Sequence, residues 1–283
     1  MIQEQELNRF IEQALFEDVQ NAGDLSSLAS IDKDTAGTAK LLVKDEGILC
    51  GIPIAKAIAQ KVDANLQFDI LIEEGSFVKY GDIAFYLKGN AISILTAERL
   101  ILNCMQRMSG IATTTNKYVK AIKGTNAKVI DTRKTTPNLR FLEKYAVTVG
   151  GGFNHRFGLY DMIMLKDNHI DFCGGITKAV QKVQKYLSEN NLQLKIEVET
   201  RNLDDVKEIL DCGGIDRIML DNYTPENCKK AVELINKQYE TEASGGITLD
   251  TIRSYAETGV DFISVGALTH SVKSLDLSLK ATF

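Results

Sequence analysis

The apolar positions fall into two different rhythms, and the change comes near residue 110. Before it the pattern is mixed. Apolar residues at helical spacing predict a helix over 3–17, followed by a loop over 21–27. Short runs at 39–43 and 48–50 read as strands. Residues 53–62 read as a helix whose first turn holds Pro53, a position where proline costs nothing. Strands are expected at 66–72 and 83–87, then a long helix from 92 to about 108. Gly110 is expected to end that helix, with a second beginning just after it.

From residue 125 onward the alternation becomes regular. Strand-like runs occur at 128–131, 162–165, 194–198, 217–220, 239–243 and 262–265. Helical segments at 139–149, 176–189, 203–212, 225–235 and 249–258 lie between most of them. Repeated strand–helix units imply parallel strands with helical crossovers. Six of them joined by short turns favour a βα barrel over an open sheet. Each run ends in polar residues or glycine, and in such barrels those strand ends converge on one face. In the first half, 74–82 has the look of a biotinyl or lipoyl carrier turn. No Met-Lys-Met hairpin accompanies it, so a plain turn with two glycines is the better reading.

Composition narrows the classes. A chain of 283 residues allows two domains, divided here as 1–110 and 111–283, with the tail of about 270–283 able to return to the first. A net charge of −5 argues against a nucleic-acid partner, which needs a basic footprint. Five widely spaced cysteines without a CxxC read as reduced thiols of a cytoplasmic protein. No segment has the run of about 18 apolar residues that a membrane span needs.

The candidate chemistry sits at the strand ends. Arg133 and Lys134 suit a dianion, the first as a planar fork and the second as a point charge, although such a pair can equally be a solvated turn. Gly150-Gly151-Gly152 precede Asn154, His155 and Arg156, a donor-rich loop or simply a flexible one. Lys166, in Lys166-Asp167-Asn168-His169, is placed to stabilise a departing pyrophosphate, or is part of a surface turn. Glu197 and Glu199 share one strand face, and Asp221 ends the next strand in phase. Three such carboxylates either surround Mg²⁺ or pair with Lys166, Arg201 or Arg217. Ser244-Gly245-Gly246 and Gly266, on the last two strands, fit a phosphate site, to which Thr269 and His270 add donors unless His270 is an exposed cap. Arg99 and Asn103 share a helix face, and nothing in the pattern alone singles out Arg99.

Together these motifs resemble the quinolinate phosphoribosyltransferase family, the decarboxylating enzymes of NAD biosynthesis. The likeness runs from Glu17-Asp18 to Leu275-Asp276 and includes Glu98-Arg99, Asp131-Thr132-Arg133-Lys134-Thr135, Asn154-His155-Arg156, Lys166-Asp167-Asn168-His169, Glu197-Val198-Glu199 and Ser244-Gly245-Gly246-Ile247. It implies an N-terminal open-faced α/β sandwich and a C-terminal incomplete α/β barrel. It implies quinolinate and phosphoribosyl pyrophosphate (PRPP) as substrates, Mg²⁺ as cofactor, and a homodimer or larger assembly of dimers. On this resemblance Arg133, Lys134, His155 and Arg156 contact the quinolinate carboxylates, and Arg99 completes the neighbouring subunit's site. Lys166 lies beside the pyrophosphate, Glu197 and Asp221 face the ribose and Mg²⁺, and Ser244, Gly245, Gly246, Gly266 and His270 hold the 5-phosphate. Three alternatives stay open. They are a nicotinate-type or molybdenum-associated relative of the same fold, a sugar-phosphate aldolase or isomerase using Lys166 as a Schiff base, and a metabolite-binding protein without catalysis.

Overall fold

The computed structural model describes residues 3–282, which divide into two compact units. One runs to Asn116 and takes in Thr136–Gly151 and the chain from Ser271; the other comprises Lys117–Thr135 and Gly152–His270.

The first unit opens with helix α1 (Glu4–Val19), whose first turn carries Glu4 and Glu6, the sign the helix dipole favours there. A short helix α2 (Leu25–Ser30) begins within the expected loop, because the Asp24 carboxylate accepts the Ser27 N–H at 3.2 Å and caps it. Four strands form an antiparallel sheet in the order β12 (Leu277–Thr282), β1 (Ala36–Val43), β5 (Ile83–Asn90) and β3 (Gln67–Ile70). Alternation puts Ala39, Leu41, Val43, Phe85, Leu87, Leu277 and Leu279 out of solvent. Helix α3 (Ile52–Val62) and helix α4 (Ala91–Ala121) add Ile54, Ile58, Ala97, Ile101 and Met105 to this unit's core. The segment read as a turn with two glycines contains β4 (Phe77–Val78), paired with β2 (Gly47–Ile48), and Gly75 and Gly81 both have positive φ. Helix α5 (Arg140–Val149) belongs here as well.

Gly110 does not end a helix. Helix α4 runs through it, and the glycine is there for a crossing: a Cβ at Gly110 would lie 2.3 Å from the Lys273 carbonyl oxygen. The tail crosses at that point, where Leu275 N–H donates to the Gln106 carbonyl at 2.9 Å, and continues into β12.

The second unit is an incomplete barrel of six parallel strands. Their order is β6 (Lys128–Ile130), β11 (Phe262–Ser264), β10 (Glu240–Ser244), β9 (Arg217–Asp221), β8 (Ile196–Thr200) and β7 (Ile163–Leu165). A parallel bridge from Phe153 to Ile130 adds one more rung beyond β6. Helices α6 (Asp167–Cys173), α7 (Ile176–Glu189), α8 (Leu203–Cys212), α9 (Pro225–Ile235), α10 (Ile252–Ala256) and α11 (Ala267–His270) follow successive strands. Their starts are fixed locally: Asn202 accepts the N–H groups of Asp204 and Asp205, and Thr224 caps α9 with Pro225 at its first position. Among the described residues, no helix is long and apolar enough to cross a membrane.

Candidate active site

The barrel strands end level with one another, Ser244 opposite Asp221 and Thr200 opposite Leu220, so their terminal residues surround one space. A cavity of about 740 Å³ lies there, lined by Arg133, Lys134, Arg156, Lys166, Glu199, Asp221, Ser244, Gly245, Gly246, Gly266 and His270, among others. Residues more than a hundred positions apart in sequence therefore meet in one place.

Arg133 and Lys134 follow β6 and are exposed to the cavity. Their backbone is pinned by Lys134 N–H donating to Thr132 Oγ1 at 3.0 Å and by Thr269 Oγ1 donating to the Lys134 carbonyl at 2.8 Å. Arg156 is half-buried, with Nη1 donating to the Met162 carbonyl at 3.2 Å. Burial lowers its pKa, and the charge of Arg133 lowers it further. The two guanidiniums thus face a common space, which an anion would stabilise. Lys166 reaches the same cavity from the end of β7, where His169 Nδ1 accepts the Lys166 N–H at 3.0 Å and closes the start of α6.

Opposite charges come from β8 and β9. Glu199 and Asp221 line the cavity, and burial followed by the charge of Asp221 raises the Glu199 pKa while Lys166 opposes the rise. Asn222 Nδ2 donates to Asp221 Oδ2 at 2.6 Å. Asn222 also explains Gly245: a Cβ there would sit 2.2 Å from Asn222 Oδ1, and Gly245 has φ +94°. Gly246 faces open space at φ +60°, so its backbone is approachable. At Gly266 a Cβ would crowd both His270 and Lys134, at 3.1 Å or closer.

One expected site residue falls outside the cavity lining. Glu197, placed beside the metal by sequence reasoning, does not line the cavity; it is fully buried beneath it, with its Oε2 3.0 Å from His155 Nε2. The residue of that strand face that does reach the cavity is Glu199, one rung nearer the strand end. Arg99, expected to serve a neighbouring subunit and not its own chain's site, is exposed on α4 and is not among the cavity residues. His155 borders the cavity, but its side chain is only 5 % exposed. The triple glycine is a packing feature at its start, since a Cβ on Gly150 would lie 2.4 Å from the Ala112 carbonyl oxygen.

Sequence reasoning missed Glu242, which lines the cavity together with His155. Glu242 on β10 is fully buried, 3.2 Å from His155 Nε2, and accepts from Arg217 Nη1 at 3.0 Å. The Arg217 guanidinium also lies over the Phe262 ring at 3.9 Å and donates to Glu240. Burial opposes a charge on His155, but the two carboxylates outweigh it and push the ring up to about 9. Burial and the charge of Glu242 push Glu197 up to about 7, whereas His155 and Arg217 hold Glu242 below its ordinary value in spite of its own burial. The alternation in Glu240-Thr241-Glu242-Ala243-Ser244 was the available signal, the same two-residue period that paired Glu197 with Glu199.

Comparison with known proteins agrees with this geometry. The family model for the quinolinate phosphoribosyl transferase C-terminal domain matches residues 111–280, and that for the N-terminal domain matches residues 24–109. Quinolinate phosphoribosyltransferase (decarboxylating) 2b of Nicotiana tabacum is 45% identical, over 97% of this chain and 82% of its own length. A probable nicotinate-nucleotide pyrophosphorylase (carboxylating) of Bacillus subtilis is 42% identical, over 98% of this chain and 94% of its own. Among solved structures, the nicotinate-nucleotide pyrophosphorylase of Francisella tularensis superimposes with a TM-score of 0.93 at 41% identity, covering 100% of this chain and 98% of that one. With both of its domains matched in order and the strand-end charges converging on one cavity, the chain belongs to the quinolinate phosphoribosyltransferase family.

Proposed function

We propose that this enzyme transfers the 5-phosphoribosyl group of PRPP to the ring nitrogen of quinolinate, releasing pyrophosphate and CO₂ and leaving nicotinate mononucleotide. The observation that carries it is one cavity with an excess of cations on the β6 and β7 sides, two carboxylates on β8 and β9, and glycine backbone on β10 and β11. A diacid needs the first, a ribose with metal-bound diphosphate the second, and a phosphate monoester the third.

Arg133, Lys134 and Arg156 hold the two carboxylates of the pyridine. Gly245, Gly246 and Gly266, with Ser244 and His270, hold the 5-phosphate, and Lys166 lies against the pyrophosphate. The pyridine nitrogen forms its bond to C1 of the ribose as the C1–oxygen bond breaks, and the pyrophosphate leaves with the electron pair. Glu199 and Asp221 offset the positive charge that the ribose develops. The ring nitrogen is now quaternary and positive, so the electrons of the adjacent carbon–carboxylate bond flow into the ring, CO₂ leaves, and that carbon takes a proton.

The donor set fits Mg²⁺. Glu199 and Asp221 share the cavity with their like charges unfavourably close, which an oxygen-preferring cation relieves. When bound there, the ion supplies positive charge to the phosphate oxygens. Five free thiols fit a reducing compartment, and we place the enzyme in the cytoplasm as a dimer in which Arg99 of the partner subunit completes each site.

Purified protein incubated with quinolinate, PRPP and Mg²⁺ is expected to yield nicotinate mononucleotide and CO₂ in equal amounts. Turnover of nicotinate in preference to quinolinate, or a substrate adduct trapped on Lys166 by borohydride, would sink this reading in favour of another reaction.

A further inference from the structure

The loop after β6 carries Arg133 and Lys134 on the diacid side of the cavity, and the turn after β11 carries Gly266 and His270 on its phosphate side. The two strands are neighbours, and the ladder between them runs to Val265, whose N–H donates to the Ile130 carbonyl at 3.0 Å. Beyond that rung the Asp131 N–H turns to the Phe153 carbonyl at 3.1 Å. The two sides continue as a loop and as the four-residue helix α11, and so short a helix is not stiff by itself.

One side chain joins them again. Thr269, on α11, is 1 % exposed. Its Oγ1 donates to the Lys134 carbonyl at 2.8 Å, across 135 positions of sequence. A helical threonine commonly returns its proton to a carbonyl of its own helix, and the Gly266 carbonyl lies at 3.4 Å. That carbonyl already accepts the N–H groups of Thr269 and His270, at 3.1 and 3.2 Å. A hydroxyl has one proton, and the shorter bond takes it to Lys134. Valine has the same outline and would fill the position without burying a polar group, so packing alone does not account for the hydroxyl. The side chains at this junction are tight as well. A Cβ on Gly266 would lie 3.0 Å from His270 Cδ2 and 3.1 Å from Lys134 Cδ, so both side chains rest on the same stretch of backbone.

We infer that Thr269 is a positioning residue that couples the two substrate sites: through its bond to Lys134, a diacid held after β6 also sets α11, and with it His270 and the Gly266 backbone, for the 5-phosphate. This rests on the quinolinate reading of the cavity and deepens it. Order imposed by the first substrate need not be imposed again by the second, so each strengthens the binding of the other by the same factor.

Phthalate, the benzene diacid that lacks the attacking nitrogen, lets both sites be filled without turnover. In calorimetry with Mg²⁺ present, saturating phthalate is expected to tighten PRPP binding to the wild-type protein by about fivefold, and saturating PRPP to tighten phthalate equally. Thr269→Val is expected to bring both factors to about one, and Thr269→Ser, which keeps the hydroxyl, to restore them. A merely structural loss would weaken each ligand and leave the factor unchanged. Hydrogen exchange gives a readout that needs no variant: phthalate alone is expected to slow the amides of residues 266–270 in the wild-type chain. Coupling that survives in Thr269→Val, a loss shared equally by Thr269→Ser, or amides at 266–270 indifferent to phthalate would overturn the inference. Wild-type protein that binds each ligand without coupling defeats this inference alone, whereas protein that binds neither defeats the substrate reading and the inference with it.

Discussion

Arg133 and Arg156 are held near each other although their charges repel, and the cost is accepted because the backbone around each is fixed by bonds that do not depend on the guanidinium. An anion between them turns that repulsion into binding energy. Arg133→Ala is therefore expected to raise the KM for quinolinate between about tenfold and a hundredfold while the KM for PRPP stays within about twofold, as steady-state kinetics with each substrate varied will read. Glu199 and Glu197 make a sharper contrast. They share a strand face, and sequence periodicity could say only that. Their height along the strand decides their work: Glu199 ends in the cavity, and Glu197 ends against His155. Glu199→Gln is expected to raise the Mg²⁺ concentration for half-maximal activity by roughly tenfold, measured by metal titration, and an unchanged requirement would take Glu199 out of the metal's reach.

At the scale of elements, the barrel strands were readable because each apolar run stops at a polar or glycine cluster, and those clusters are the site. What escaped was whatever depended on a distant partner. Gly110 looked like a terminator because glycine usually is one, yet α4 continues through it and the tail crosses above it. Lys166-Asp167-Asn168-His169 was read as a strand end or a surface turn, whereas Asp167 already begins α6. Strand β12 is short and edge-placed, so only its partner β1 identifies it. Glu242 and Arg217 were invisible as a pair, since nothing local says that a strand carries its charges inward to meet each other. The Gly110 reading gives a direct test. By helix propensity Gly110→Ala should stabilise α4 by about 1 kcal/mol. The contact with the Lys273 carbonyl reverses the sign, so thermal unfolding is expected to show a lower Tm.

For the molecule as a whole, the resemblance asks for a site built from two chains, and the placement of Arg99 allows a clean check. Arg99→Ala and Arg156→Ala homodimers are each expected to be inactive. After subunit exchange at equal amounts, a two-fold pairing puts both substitutions in one site of each hybrid and leaves the other intact. Random mixing should then recover about a quarter of wild-type turnover. Exchange demonstrated by mass without any recovery would show that Arg99 serves its own chain or none.

Strand β12 carries a consequence for how this protein comes into being. Val43 pairs with Leu277, and Thr38 with Thr282, so the sheet begun by β1 is finished by a strand synthesised after the whole barrel. Until then β1 has an open edge along one side while every barrel strand is being made. The order of synthesis thus makes β12 the closing clasp of the first unit, and a nascent chain stalled before β12 would present the cell with a finished barrel and an unsealed sheet.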